Sequence, residues 1–393
     1  METARILLHV LFVLVGVATT MIGPLLPTLL RRWDLSDSQA GALFTAQFLL
    51  LVFSSVAVSW LLRYFRAWHL MSVGFVLCGV GALGFAAPTA TLGFAGACLL
   101  GLGVGMVNPN ANLAAASLRP KNPAAALNLL NFFFSAGAMA APLVIGVFLN
   151  RGIAPWFPVM IAVLTLVGAA IASRLFVADY QSVERLTRID TIQELAPRRM
   201  PFAVLTMLML FVYVGIEVSM GGWTPSYLIR ATGTSAPIAA TAPSAFWGAI
   251  LASRLLTVIL LPRLGVLRIL AVGICITVAG TLWMLLVPSA NSVFFAIALT
   301  GLGMGPIFPN AVGYFLEHYG KGSDRLTGVL FAAGGVGGSV LPLVIGNLSD
   351  STGNLEFALW TIPANSVAML LAFVFVVRRR PGLPNVAPVP KAA

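Results

Sequence analysis

The chain has 393 residues, of which 59% are hydrophobic and 9% are charged, whereas a soluble domain has about a quarter of its residues charged. This composition excludes a soluble globular protein. The formal net charge of +11 comes from 23 Lys and Arg residues scattered between apolar runs, a pattern that excludes a basic face for nucleic acid.

Twelve apolar runs are long enough to cross a bilayer as helices, which takes about 20 residues because backbone amides find no water partner in hydrocarbon. We number these predicted spans 1 to 12. They fall at residues 6–30, 39–62, 68–87, 91–117, 124–149, 155–177, 201–229, 238–262, 267–287, 291–316, 326–348 and 356–377. The first run is too long for a removable signal peptide and lacks a small-residue cleavage pattern, so we expect it to remain as a span.

The positive charges predict the orientation of the spans. If both termini face the cytoplasm, eighteen of the 23 cationic residues lie on the inner side. The outer side then receives only Arg31, Arg32, Arg151 and Arg230, and Arg254 alone falls inside a span. By the positive-inside rule, we expect a multi-pass protein of the bacterial inner (plasma) membrane with both termini in the cytoplasm.

One polar stretch divides the chain. Residues 178–200 form the only long polar stretch between the first and last apolar runs and hold eight charged residues, which predicts a cytoplasmic linker lying at the interface, with a regulatory site as the alternative. The predicted domains are therefore an N-terminal six-helix bundle over residues 1–177 and a C-terminal six-helix bundle over residues 201–377. Residues 378–393 form a cytoplasmic tail, and we expect its Pro-rich part, residues 381–393, to be disordered.

An internal repeat relates the two bundles. Residues 101–111 match residues 301–311, and residues 142–146 match residues 342–346, both at an offset of 200. Because six spans separate equivalent positions, the bundles have the same orientation and are related by a pseudo-two-fold axis along the membrane normal. The predicted fold is all-α, with twelve transmembrane helices in the two-bundle arrangement that resembles the major facilitator superfamily.

Four segments carry a more specific resemblance, at residues 126–134, 213–219, 301–310 and 332–338. In these segments the chain resembles the fucose and glucose/galactose permease family of that superfamily. The resemblance implies transport of hexose-like sugars driven by protons or sodium. In the fucose permease pattern, acidic residues of spans 1 and 4 carry the proton, and the matching positions here are Gly23 and Met106.

Glu217 is the first candidate for ion coupling. Of the twelve acidic residues it alone lies well inside a predicted span, where a carboxylate is costly unless it is paired, protonated or hydrated. It could exchange a proton, coordinate sodium or accept hydrogen bonds from sugar hydroxyls. The alternative is a structural carboxylate bonded to a neighbouring helix.

Asparagines surround the two prolines of the repeat. They are Asn108, Asn110 and Asn112 beside Pro109, and Asn310 beside Pro309. A proline inside a helix leaves one backbone carbonyl without its hydrogen-bond donor, and these side-chain amides could donate to that carbonyl. A structural role and a role in sugar binding are equally open for them, whereas the neighbouring glycines are spaced for helix packing.

Further candidates for the sugar site lie on spans 2, 5, 7 and 10. Asn128 and Asn131 are one helical turn apart and share a face, and an amide both donates and accepts hydrogen bonds, as a hydroxyl-rich ligand requires. Aromatic rings can cover the apolar faces of sugars, and the nearest in sequence are Phe132, Trp223 and Phe308, with lipid or core packing as the alternative. Gln47 in span 2 is either a gate residue or a substrate contact.

Other polar residues indicate no enzyme and no cofactor. The three cysteines are isolated in apolar runs, which excludes a disulfide framework and a zinc or iron–sulfur site, although sodium at Glu217 remains open. No histidine stands beside a serine or cysteine in a catalytic arrangement. Arg254 lies about two turns from the inner end of span 8, where it could reach the interface or pair within a gate.

The leading hypothesis is a secondary transporter that moves a hexose-like sugar by alternating access. Its expected partners are a small-molecule substrate, a coupling proton or sodium ion and the lipid bilayer, and we expect a monomer. The alternative is a proton-coupled exporter of drug-like, amphipathic molecules, because residues 137–142 resemble the glycine–proline signature of drug antiporters. A receptor or scaffold is a third possibility, without an appended soluble domain to support it.

Overall fold

The computed structural model describes residues 2–118, 123–175, 199–319 and 323–381, and no strand occurs in these ranges. The helices of the N-terminal half are Glu2–Thr20 and Ile22–Trp33 (span 1), Asp37–Leu61 (span 2), Ala67–Ala86 (span 3), Ala90–Leu118 (span 4), Pro123–Asn150 (span 5) and Trp156–Leu175 (span 6). Those of the C-terminal half are Met200–Thr232 (span 7), Ala236–Ala239 and Ala242–Leu264 (span 8), Val266–Leu286 (span 9), Ala290–Met304 and Ile307–Tyr319 (span 10), Ser323–Thr352 (span 11), and Leu355–Leu359 and Thr361–Arg379 (span 12).

The fold prediction is confirmed. Twelve helical segments in the described ranges are long and apolar enough to cross a membrane, and each lies within four residues of its predicted boundaries. The chain is therefore a multi-pass membrane protein with the predicted order of spans. The predicted linker, apart from its last two residues, and the tail beyond residue 381 lie outside the described ranges, so the domain boundaries stay a prediction.

Spans 1, 8, 10 and 12 each consist of two helices, and prolines explain the breaks in spans 1 and 10. Span 1 breaks at Met21, where Pro24 cannot donate a hydrogen bond to the carbonyl of Thr20. Span 10 breaks between its two helices at Gly305 and Pro306. Span 4 carries methionine where span 10 has Pro306, and it remains one helix through Pro109. An added proline therefore separates the two copies of this repeated segment.

The repeated glycines bring helices together in the same way in both halves. A Cβ atom added to Gly103 would lie 2.5 Å from the carbonyl oxygen of Gly74, and one added to Gly303 would lie 2.5 Å from that of Gly273. Spans 3 and 4 and spans 9 and 10 therefore pack backbone against backbone. Only a residue without a side chain permits this approach, so the sequence repeat reflects a repeated packing geometry.

The two halves meet along two pseudo-equivalent contacts, which we call the 2/11 seam and the 5/8 seam after their spans. In the 2/11 seam, a Cβ atom at Gly346 would overlap the carbonyl oxygen of Asp37. In the 5/8 seam, a Cβ atom at Gly146 would lie 2.9 Å from that of Pro237. Both contacts lie at the same end of the bundle. We call it the Asp37 end, and the opposite end, with the first and last described helical residues, the termini end.

Candidate functional site

A polar cluster lies halfway along the spans, where the two halves meet. Span 7 places Tyr213 and Glu217 one turn apart, and the Tyr213 hydroxyl donates to Oε1 of Glu217 over 3.2 Å. Arg254 of span 8 donates from Nη1 to the Oγ atom of Ser135 in span 5, over 2.7 Å. Glu217 and Arg254 interact electrostatically, so the four side chains form one cluster that joins the halves.

Arg254 is held by the backbone as well. Pro309 cannot donate to the carbonyl of Gly305, and Nε of Arg254 donates to this freed carbonyl oxygen over 3.4 Å. The N-terminal half repeats the arrangement, because the Ser55 hydroxyl donates to the carbonyl oxygen of Gly105 over 3.1 Å, four residues before Pro109. The helix break thus positions a cation in one half and a hydroxyl in the other.

The asparagine amides form different bonds from those expected. Asn110 Nδ2 donates to the carbonyl of Met106 over 2.7 Å, and Asn310 Nδ2 donates to that of Pro306 over 2.6 Å. The prolines leave the carbonyls of Gly105 and Gly305 without a donor, so each amide bonds to the carbonyl one residue C-terminal to that position. A side chain bonds most readily to the carbonyl four residues before it in its own helix, so the freed carbonyl is left to a neighbouring span.

Aromatic rings lie on two sides of the cluster. Trp247 stands two turns before Arg254 on the same face of span 8, and its ring meets that of Phe134 edge-on at 5.9 Å. On the other side, the rings of Tyr213 and Phe308 lie 5.6 Å apart. Phe331 stacks on Phe308 at the same separation. Charged and hydroxyl groups are therefore flanked by flat apolar surfaces.

Several buried polar atoms have no hydrogen-bond partner among the described residues. They include Oε1 of Gln47, Oγ of Ser219 and Nε1 of Trp247. Gly221, one turn after Glu217, leaves room at the indole, because a Cβ atom there would lie 3.9 Å from Nε1 of Trp247. Buried donors and acceptors are nearly always satisfied, so these atoms are available to a ligand or to water.

The structure brings together some of the predicted site residues. Glu217 and Phe308 belong to the cluster through Tyr213, and Asn131 joins it because its carbonyl oxygen accepts from the Ser135 hydroxyl over 3.0 Å. The side chains of Asn131 and Asn128 are exposed on one face of span 5, as their spacing predicts.

Other predicted residues form contacts elsewhere. The Gln47 amide is buried and donates to the carbonyl of Thr19 over 3.0 Å. Asn108 accepts from Asn112 in its own helix over 2.8 Å. Trp223 is 0% exposed, so in this conformation it offers no surface to a ligand.

Sequence reasoning left out Ser135, Tyr213 and Trp247. The spacing of Tyr213 one turn before Glu217, and of Trp247 two turns before Arg254, could have indicated the last two. Nothing in the local sequence distinguishes Ser135, because its role depends on a contact with the other half.

A second polar cluster closes the 2/11 seam at the Asp37 end, and we call it the Asp37 cluster. Arg230 of span 7 pairs with Asp37 through two hydrogen bonds of 2.6 Å, and the Ser349 hydroxyl donates to the same carboxylate over 2.6 Å. The backbone amides of Asp37 and Ser38 donate to the Asp350 carboxylate over 3.0 and 2.8 Å, and Ser38 also bonds to Asn347. The cluster consists of Asp37, Ser38, Arg230, Asn347, Ser349 and Asp350.

Contacts between the halves extend from the Asp37 end to the level of the central cluster. At that level Val52 lies against Gly335 in the 2/11 seam, and Arg254 bonds to Ser135 in the 5/8 seam. Beyond that level, toward the termini end, Asn128 and Phe331 are exposed, although they lie on spans that form the seams.

The described ranges hold no group of three or more His, Cys, Asp or Glu side chains arranged to bind a metal ion. The acidic member of the central cluster is Glu217 alone.

Comparison with models of known protein families shows which superfamily the chain belongs to. The family model described as Major Facilitator Superfamily matches residues 8–321 and 225–393. The chain belongs to this superfamily. As a member of the major facilitator superfamily it is a secondary transporter of a small-molecule substrate, and its family and fold are those of transporters.

Relatives of this superfamily member agree on the fold. "Bypass of stop codon protein 6" of Saccharomyces cerevisiae is 25% identical over 386 residues, which cover 88% of this chain and 76% of the yeast protein. A bacterial homolog of the human lysosomal transporter Spinster, in an inward-facing and occupied conformation, superposes with a TM-score of 0.77 at 14% identity and covers 99% of both chains. The E. coli fucose:proton symporter FucP superposes with a TM-score of 0.62 at 22% identity, covering 96% of this chain and 98% of that one.

Proposed function

We propose that the protein moves a hexose-like sugar across the membrane by alternating access, and that Glu217 couples this movement to a proton or sodium gradient. The observation that carries the proposal is the central cluster. It places the one carboxylate found halfway along a described span beside Tyr213, Arg254 and Ser135, at the contact between the halves. Membrane-embedded carboxylates in such positions are typical of ion pathways.

The surroundings of the cluster support a sugar-like substrate. Hydroxyl groups require both donors and acceptors, which Asn131, Tyr213 and Glu217 supply together. The partly exposed ring of Phe308 offers a flat surface that can cover the C–H face of a pyranose, and the buried indole of Trp247 lies on the other side of the cluster. Likeness to the fucose:proton symporter adds support for the same substrate class.

The charge distribution supports an orientation. Among the described residues, the Asp37 end carries Arg31, Arg32, Arg151 and Arg230, whereas the termini end carries more than twice as many cationic residues. We assign the termini end to the cytoplasm, following the positive-inside rule. The seams then close on the outer side, and the central cluster is reached from the cytoplasm, which corresponds to an inward-open state.

Coupling requires that the ion stabilises one conformation more than the other. Glu217 lies beside the Arg254–Ser135 bond, which exists only while the 5/8 seam is closed. A change in the charge of Glu217 alters the balance of forces on Arg254 and hence on that bond. Its counterpart in the repeat is Ala18, so one half alone carries the coupling charge.

The test is uptake of a labelled sugar panel by proteoliposomes, with proton and sodium gradients imposed separately. Glu217→Gln keeps the size of the side chain and removes its charge. We expect this variant to lose gradient-driven accumulation entirely while it retains exchange of substrate across the membrane. Asp34→Asn is a control, because Asp34 is exposed at the Asp37 end. Full concentrative uptake by Glu217→Gln would remove the coupling role, and loss of substrate binding would reassign Glu217 to the sugar site.

A further inference from the structure

We infer that the substrate carries a negative charge: the central cluster is built for a sugar acid, a polyhydroxylated monocarboxylate of hexose size, whose carboxylate binds Arg254. The inference rests on the proposed function and makes its substrate class more specific. It follows from the donors that Arg254 leaves unused and from the charge balance of the cluster.

The guanidinium of Arg254 has an available edge. Two of its nitrogen atoms are engaged, Nη1 with Ser135 at 2.7 Å and Nε with the carbonyl oxygen of Gly305 at 3.4 Å. Tyr213 is a further hydrogen-bonding neighbour of the guanidinium, and the Arg254 side chain is partly exposed even though it lies well inside span 8. A guanidinium offers five N–H groups in a planar fork that matches a carboxylate. Ser135, Gly305 and Tyr213 use at most three of them, which leaves two for a carboxylate.

The charge of Arg254 is incompletely compensated. Among the described residues the one ion pair is Arg230–Asp37, so Glu217 acts on Arg254 through space and forms no direct pair with it. Glu217 instead accepts a hydrogen bond from Tyr213. An unpaired cation within a membrane span is costly, and an anionic ligand seated on Arg254 would remove that cost.

Charge balance links the anion to the proton. Tyr213 and Arg254 are the titratable and charged groups that face Glu217. With Glu217 ionised and Tyr213 neutral, the cluster has no net charge, and the carboxylate of Glu217 repels a second anion. With Glu217 protonated, the cluster carries one positive charge, which one carboxylate neutralises. A proton and a sugar acid therefore bind together, and the loaded cluster is electrically neutral.

The rest of a sugar acid fits the groups beside Arg254. The indole N–H of Trp247 is buried without a partner among the described residues, two turns away on the same face of span 8, and is available to a hydroxyl of the ligand. The neighbouring Phe134 ring adds an apolar surface, and Phe134 directly precedes Ser135. These groups orient the hydroxylated part of the ligand, and Arg254 selects its charge.

The test is isothermal titration calorimetry on the purified full chain with glucuronate, gluconate and glucose, at about pH 6 and about pH 8, a range that brackets neutral pH. Glucuronate and gluconate separate a ring from an open-chain acid. At the lower pH we expect glucuronate to bind at least about tenfold more tightly than glucose, because charge-assisted hydrogen bonds are the stronger class. Raising the pH weakens glucuronate binding and leaves glucose binding unchanged.

Substitutions of single residues test which side chains cause the preference for glucuronate. Arg254→Gln is expected to weaken glucuronate binding by about tenfold to a hundredfold, as loss of a charged hydrogen-bonding partner does, and so to remove the preference for glucuronate over glucose. Arg263→Gln is the matched control, because Arg263 lies on the same span, is exposed and donates to its own helix at Ile259. Glu217→Gln imitates the protonated carboxyl and is expected to bind glucuronate equally at both pH values.

Two results would overturn the inference. One is glucose binding as tightly as glucuronate to the unmodified protein, a measurement that does not depend on whether a variant folds. The other is unchanged glucuronate affinity in a folded Arg254→Gln protein. Concentrative uptake of neutral hexoses without uptake of glucuronate or gluconate would refute the inference and leave the proposed function standing, whereas transport of neither class would refute both.

Discussion

The two seams between the halves have the same backbone design and different chemistry. Gly346 packs on the Asp37 carbonyl in the 2/11 seam, and Gly146 packs on that of Pro237 in the 5/8 seam, at positions related by the repeat. The 2/11 seam adds the Asp37 cluster at the Asp37 end, far from the central cluster. The 5/8 seam instead has its charged bond at the central cluster, through Arg254 and Ser135.

The different positions of the two charged contacts lead us to expect different roles for the two seams. A charged contact at the end of the bundle stabilises closure regardless of what occupies the centre. A charged contact within the site is expected to change strength with the charge of Glu217 and with the proposed ligand, because both act on the guanidinium that bonds to Ser135. The repeat accounts for the similar backbone packing of the two seams, and we expect the 2/11 seam to hold the halves together while the 5/8 seam responds to the site.

The largest effect is expected from Gly346→Val in the 2/11 seam. Its Cβ atom would overlap the carbonyl oxygen of Asp37, and backbone cannot yield as a flexible side chain does. We expect uptake to fall on the order of a hundredfold, since overpacking costs about 1 to 3 kcal/mol and backbone overlap lies at the upper end.

Gly328→Val is the control for this change, because it lies on the same span and a Cβ atom there meets nothing within 4 Å. Gly146→Val should be milder, because its nearest contact is the Thr241 side chain at 2.7 Å. Similar uptake by Gly346→Val and Gly328→Val would show that closure of the 2/11 seam is not required for transport.

A smaller effect is expected from Asp37→Asn, which removes the charge that Arg230 and Ser349 share. Loss of a charged hydrogen-bond acceptor costs about 1 to 3 kcal/mol, so the seam should open from outside about tenfold more often. The measurement is the rate at which a membrane-impermeant maleimide labels Thr45→Cys in intact cells, with Cys275 replaced by serine because it is exposed. Thr45 bonds to Ser339 across the closed seam.

Asp34→Asn is again the control, because Asp34 lies outside the Asp37 cluster and carries no role in the seam contacts described above. Equal labelling rates in Asp37→Asn and Asp34→Asn would show that the Asp37 cluster contributes nothing to closure.

The smallest effect is expected as the difference between two serine substitutions within the 5/8 seam. Ser135→Ala removes a bond to a charged group, worth about 1.5 to 3 kcal/mol, whereas Ser244→Ala removes the neutral bond to the Met139 carbonyl, worth about 0.5 to 1.5 kcal/mol. Hydrogen–deuterium exchange over residues 135–146 should therefore rise more in Ser135→Ala. The reverse order would mean that the Arg254 bond does not hold the 5/8 seam together.

Local sequence patterns were sufficient for the spans. A membrane helix satisfies its backbone within itself, so length and hydropathy fix where it runs, and the twelve boundaries follow. The 200-residue repeat likewise predicted the two bundles, because glycines such as Gly103 and Gly303 perform the same packing in each. Glu217 could be identified as a candidate from the sequence because a carboxylate inside a membrane span is costly unless it is paired, protonated or hydrated.

The tertiary structure alone decided the partners. Asp37 and Arg230 are separated by 193 positions in the chain, and Arg254 and Ser135 by 119, so no periodicity within a helix could connect them. The same limit explains one difference between prediction and structure. The amides near Pro109 and Pro309 were expected to donate to the carbonyls that these prolines leave without a donor, whereas Ser55 and Arg254 of neighbouring spans donate to them. The sequence by itself determined where each helix runs, since its backbone bonds are internal, whereas polar side chains inside the membrane find partners on other helices, which only the packed bundle specifies.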